Sequence, residues 1–147
     1  DLPNIEFSAA YQHVFENMFD EDLIDYFFYE GNTVSLSGKA DVIVFDENAN
    51  LSVSIIFEVL DAEDNVISEI KIPSQTNLTY GKGADSKGQD IKILIKPEYM
   101  PYFKSKSARH LSAKLVINAN TNQPIKDTDY IFFKNIVMKS EGLQFEL

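Results

Sequence analysis

The sequence predicts an all-β domain: an antiparallel immunoglobulin-like β-sandwich of about seven or eight strands, with an N-terminal helical segment packed on it. Alternation is the first observation. Val34, Leu36, Ala40, Val42 and Val44, then Leu51, Val53, Ile55, Phe57 and Val59, then Leu111, Ala113, Leu115 and Ile117 put apolar side chains at every second position. Successive strand residues point to opposite faces of a sheet, so each run reads as a ribbon with one buried face. Turn residues supply the second observation, because short polar breaks such as DENAN and DAEDN separate the runs,. The third is length: 147 residues suit one domain, 1–147, with an N-terminal part over 1–31 and the sandwich core over 32–147,.

Taken in order, residues 2–8 read as a short strand with Leu2, Ile5 and Phe7 as its apolar members. From Tyr11 the apolar positions change to Phe15, Met18, Phe19, Leu23, Tyr26 and Phe27. Spacings of three and four suit a helix face, with Ser8 as its cap and Asp20 or Asp22 capping a second short helix. Strands are expected at 33–45, 51–60 and 66–72, paired as antiparallel neighbours because the loops between them are short. Pro73 ends the third, and the glycines at 81, 83 and 88 mark 74–89 as a long loop,. Ile91, Ile93 and Ile95 form the next strand. The segment PEYMPYFKSKSAR reads as an irregular crossover with one helical turn, followed by a strand over 110–119. Tyr130 to Lys139 is apolar on both faces, which predicts a central strand,. Ile43, Phe45, Ile56, Leu94 and Val116 lie on outward faces, and the aromatic segment 11–28 is expected to cover them,.

Composition narrows the function classes. Zero cysteines exclude a disulfide framework, a thiolate zinc site, a cysteine nucleophile and iron–sulfur ligation,. A net charge of −10 disfavours nucleic acid and anionic membrane surfaces, and reads first as solubility,. No apolar run approaches the roughly 20 residues of a spanning helix. The first residue is Asp1 rather than Met, so the expectation is a processed chain whose signal peptide or lipid-attachment site lies upstream,.

Nothing in the motifs signals catalysis. No GxSxG occurs, and the two histidines, His13 and His110, read as ordinary surface residues,. With 23 Asp and Glu, no carboxylate pair stands out as an acid/base couple,. Asp61, Glu63 and Asp64 are candidate oxygen ligands for calcium, with Asp127 and Asp129 as helpers, while turn chemistry explains the same residues without a metal. Tyr80, Tyr99 and Tyr102, with Phe103, are candidates for stacking on sugar rings; the plainer alternative has Met100 and Phe103 plugging an open end of the core. Lys82, Lys87, Lys104, Lys106 and Arg109 give the middle of the chain a basic bias, read as solvated loops or a contact for an acidic partner,. Asn50-Leu51-Ser52 and Asn77-Leu78-Thr79 match the glycosylation acceptor pattern,.

The segments SIIFEVLDAEDNVISEIKI, PYFKSKSARHLSAKLVINANTNQP and DTDYIFFKNIVMK resemble those of small β-sandwich lipoproteins of unknown function exported by Bacteroidetes-type bacteria. The resemblance implies a signal peptide ending in a lipidated cysteine and a place at the cell envelope, and transfers no functional residues. The expected function is a non-catalytic binding or adhesion module that engages a protein or surface polysaccharide through loops or an edge strand. Carbohydrate binding by the loop tyrosines and calcium-dependent adhesion are the alternatives.

Overall fold

The three alternating runs become long strands in a computed structural model that describes residues 5–44, 51–82, 87–119 and 130–140. Strand β1 (Ile5–Phe15) leads to helix α1 (Glu21–Phe27) and strand β2 (Val34–Val44). Strands β3 (Leu51–Asp61), β4 (Gly81–Lys82) and β5 (Lys87–Ile95) follow. A 3₁₀ turn (Pro97–Tyr99), helix α2 (Met100–Ser105), β6 (Ala108–Ala119) and β7 (Tyr130–Ser140) complete the order.

These strands form two sheets. In the first, β6 lies between β1 and β3, all antiparallel. In the second, β2 lies between β5 and β7, both antiparallel to it, and β4 pairs with β2 in parallel at Ile43 and Val44. The alternation decides what is buried: Val53, Ile55, Phe57 and Val59 of β3, Leu111, Ala113, Leu115 and Ile117 of β6, and Ile91, Ile93 and Ile95 of β5 all join one apolar core. Each of these side chains larger than alanine contributes roughly 1.5–3 kcal/mol when fully withdrawn from water.

Several expectations are corrected by this arrangement. β2 and β3 stand in different sheets, so they are not antiparallel neighbours. DAEDN does make a tight reversal, with Leu60 bridged to Val66, but 66–72 is not a regular strand. Ile67 and Ile70 both turn into the core around a turn closed by the Ile70 N–H on the Ile67 carbonyl at 3.2 Å, a spacing no flat strand permits,. The chain continues along the edge of β3 through Gln75, bridged to Ile55, and Leu78, so 74–82 is anchored rather than a free loop. β5 begins at Lys87, inside the segment expected to be loop.

At the N-terminus no helix begins at Tyr11 and Ser8 caps nothing, because β1 runs on to Phe15, paired with Leu111. The register jumps between Ser8↔Val116 and Gln12↔Lys114, so extra residues bulge from β1 and break its period of two,. The remaining spacings of three and four imitate a helix. The real helix is α1, whose Asp20 cap accepts from Leu23 N–H at 2.8 Å,. It packs at one end of the core rather than over an outward face: Phe19 and Phe28 meet Phe103 of α2, with the Phe28 and Phe103 rings stacked 4.2 Å apart. Ile43 and Val116 are nonetheless buried, whereas Ile56 and Leu94 stay exposed. Phe45 lies outside the described residues.

β7 pairs with β2 alone among the described residues, so it is an edge strand and β2 is the central one. Between Ser37↔Val137 and Lys39↔Lys134 a bulge sets Asn135 and Ile136 opposite the single residue Gly38,. Asn135 takes a left-handed φ of 57°, and Gly38 leaves the room: a Cβ there would stand 2.7 Å from Ile136 Cδ1 and 3.1 Å from the Lys134 carbonyl. Buried Asn32 joins β7 to the helical end, donating from Nδ2 to the Phe27 carbonyl at 2.6 Å and accepting from Ser140 Oγ at 2.9 Å.

Candidate functional site

The three tyrosines are not brought together. Tyr80 is half-buried where β3 begins, its hydroxyl accepting from Leu51 N–H at 2.9 Å. Tyr99 and Tyr102 sit on the 3₁₀ turn and α2, which lead into β6 at Ala108, the partner of Asp61 at the far end of β3. An eleven-residue strand separates the two places by about 35 Å,. Tyr99 and Tyr102 pack their half-buried rings against the core, beside fully buried Met100 and Phe103. Partial burial raises the Tyr99 phenol above its ordinary pKa, and the Glu98 carboxylate adds to the rise.

The acidic turn uses its carboxylates on itself. Asp61 Oδ1 accepts from Glu63 N–H and Asn65 N–H, both at 2.9 Å, and the Asn65 side-chain amide approaches Oδ2 at 3.4 Å. The bond from Asn65 N–H is the largest influence holding the Asp61 carboxyl below its usual range. Asp64 carries a left-handed φ of 64°, as the turn requires,. Among the described residues no three His, Asp or Glu side chains gather as metal ligands. Asp127 and Asp129 lie outside them.

Neither histidine is an ordinary surface residue. The His110 side chain is only 13% exposed, with Nε2 at 3.9 Å from Asp64 Oδ1. Its Nδ1 accepts from Asn17 N–H at 2.9 Å, which anchors the turn after β1. An accepting Nδ1 carries no proton, so the neutral ring holds its proton on Nε2, facing Asp64. The half-buried His13 ring meets Phe15 edge-on at 4.4 Å and stands 6.2 Å from Phe133.

Three concavities among the described residues bear on function. One of about 20 Å³ between the sheets, lined by Phe15, Leu111, Phe133 and Ile136, is a packing gap with room for about one water,. A groove of about 390 Å³ on the outer side of the first sheet holds Gln12 and Lys114, whose polar ends are already committed to Ser112 at 2.7 Å and Glu58 at 2.8 Å. The third, of about 330 Å³, opens between α1, α2 and the start of β6. Phe19, Ile24, Phe103 and Ala108 are its buried apolar lining. Glu21 and Asp25 on α1, with Lys104 and Arg109, bring charges of both signs to the same space.

The basic bias of the middle segment resolves into separate roles. Lys104 pairs with Asp25 at 3.3 Å and Lys106 with Glu69 at 3.0 Å, while Arg109 turns to the cavity. The cavity was not legible in the sequence, since Glu21 and Arg109 meet only through folding. Its one local signal was the cluster of Lys104, Lys106 and Arg109.

The other distinctive surface is β7. Phe132 is 56% exposed, Ile136 40% and Val137 44%. Phe132 and Val137 pair with Asp41 and Ser37 on the outward side of the second sheet.

Among the described residues no helix is long and apolar enough to cross a membrane. A search of the curated proteins finds no match. Among solved structures, the fold is similar to a protein of Parabacteroides distasonis described as a "putative secreted protein", with a TM-score of 0.64 and 22% identity. The likeness covers 96% of this chain and 39% of that one, so the chain spans well under half of its neighbour. At that identity the two share a fold and nothing more is carried across. A family model matches residues 2–144, and the chain belongs to that family, described as a protein of unknown function, DUF4621.

Proposed function

We propose that this chain is a non-catalytic binding domain of an exported, envelope-associated protein, built as an immunoglobulin-like sandwich and engaging a partner protein along the edge strand β7. The observation that carries the reading is an edge with no pairing strand among the described residues that also exposes Phe132, Ile136 and Val137. Such an edge offers main-chain donors and acceptors to an added strand, and its side chains offer contact area. Export is supported by the fold shared with a protein described as secreted and by the envelope-lipoprotein resemblance of the sequence. A domain spanning 39% of its neighbour suits a module within a longer protein,.

The test is site-specific photo-crosslinking in the native cell envelope. A crosslinking side chain at position 132 or 137 captures one discrete partner band, and the same group at Glu63, on the acidic turn, does not. Equal capture from all three positions, or none from β7, overturns the reading. So does enzymatic turnover abolished by a single carboxylate or histidine substitution.

A further inference from the structure

We infer that the cavity between α1, α2 and β6 binds a small zwitterion with an apolar side chain, the chemistry of a free α-amino acid. Its volume of about 330 Å³ holds a ligand of about ten non-hydrogen atoms, at roughly the space each takes in liquid water,. That is the low end of the range for ligand sites.

The charges are what select the ligand. Arg109 and Glu21 both line the cavity, and neither side chain has a hydrogen-bond or ion-pair partner among the described residues. No ion pair within 4.0 Å joins them to one another. The backbone brings both to the same cavity. Phe19 N–H donates to the Arg109 carbonyl at 3.0 Å, and Asp20, next in the chain, caps the helix that begins with Glu21. A molecule with a carboxylate at one end and an ammonium at the other satisfies both unpaired charges at once. Arg109 presents a planar fork suited to two hydrogen bonds with a carboxylate. Glu21 is left to accept from the ammonium, with the Asp25–Lys104 pair at the rim. Among the apolar lining residues Ile24 keeps the most exposure, at 7%, and the side chain of the ligand rests there, in front of fully buried Phe19 and Phe103.

Ser107 supports the assignment from the backbone. It follows α2 with a left-handed φ of 56°, at a position where glycine is usual, and it lines the cavity,. A serine there accepts a conformational cost and sets a hydroxyl beside the charges.

The experiment titrates the folded domain with L-leucine and L-phenylalanine, followed by amide chemical shifts and calorimetry. The expected result is saturable binding with shifts centred on Phe103, Ser107 and Arg109. Arg109→Gln and removal of the ligand carboxylate in L-leucine amide each weaken binding by about tenfold or more, as charge-assisted bonds do. Glu21→Gln and blocking of the ammonium in N-acetyl-L-leucine act in the same direction. Glu21 is exposed and Arg109 half-buried, and an unchanged melting temperature verifies that each variant is folded. Absence of saturable binding, or binding indifferent to both substitutions, overturns the site. N-acetyl-L-leucine binding as tightly as L-leucine overturns the zwitterion. None of these outcomes depends on β7, which contributes no residue to the cavity lining.

Discussion

The edges of the two sheets are finished in opposite ways. Along β3 the chain turns back and covers its own strand: Ile67 N–H donates to Val59, Gln75 exchanges both bonds with Ile55, and Leu78 N–H donates to Val53, all between 2.8 and 3.0 Å. Ile67, Ile70 and Leu78 fasten that cover into the core. Along β7 no described residue does the same, and the strand keeps apolar groups outward. An open edge of this kind invites strand addition, and the bulge at Asn135 and Ile136 divides it into two stretches,. The core-forming residues therefore close one edge and, among the described residues, leave the other unpaired.

The largest expected effect comes from loosening the cover. Ile67→Ala should cost about 2–4 kcal/mol in urea denaturation, as truncation of a buried isoleucine does, and should speed amide exchange along β3. A loss below about 1 kcal/mol would mean the cover is not fastened where the burial places it. Next is the bulge. Gly38→Ala should cost about 1–3 kcal/mol, because its Cβ would meet Ile136 at 2.7 Å and the Lys134 carbonyl at 3.1 Å,. The double variant Gly38→Ala, Ile136→Ala should recover part of that loss by freeing the flexible neighbour.

A smaller effect concerns the turn that starts the cover. The Asp61 pKa is lowered on folding, so its contribution is fully present above the ordinary carboxylate value near 3.8 and fades as pH falls through the lowered value,. Asp61→Asn should flatten that part of the stability-against-pH curve below about pH 4, measured by denaturant melts. An unchanged curve would place the acid sensitivity elsewhere. Smallest of all, Val137→Lys should alter stability by less than about 0.5 kcal/mol, since the side chain is already in water,, while removing the crosslink expected from β7.

The same contrast explains what could be read in the sequence. β2, β3 and β6 were legible because each buries one face continuously, and burial writes a period of two into the chain. The first half of β1 was read as a strand, but its second half, from Tyr11, was misread as helix because the bulge between Ser8 and Gln12 resets that period. β7 looked central because it is apolar on both faces, whereas one of those faces is an exposed edge surface. The cover over β3 has almost no pattern of its own, since its contacts are isolated bridges. Turn chemistry at Asp61 was visible from residue types alone. Pairing across the fold was not, which is why Glu21 and Arg109 attracted no notice as partners in one cavity.

The pairing of β1 with β6 also sets a timetable. Ile5 finds its register partner in Ala119, so the first strand has no home until nearly the whole domain has emerged. Long-range closure of this kind slows folding relative to hairpin-by-hairpin assembly. A chain emerging from its N-terminus would carry β1 unpaired and complete the first sheet only at the close of synthesis.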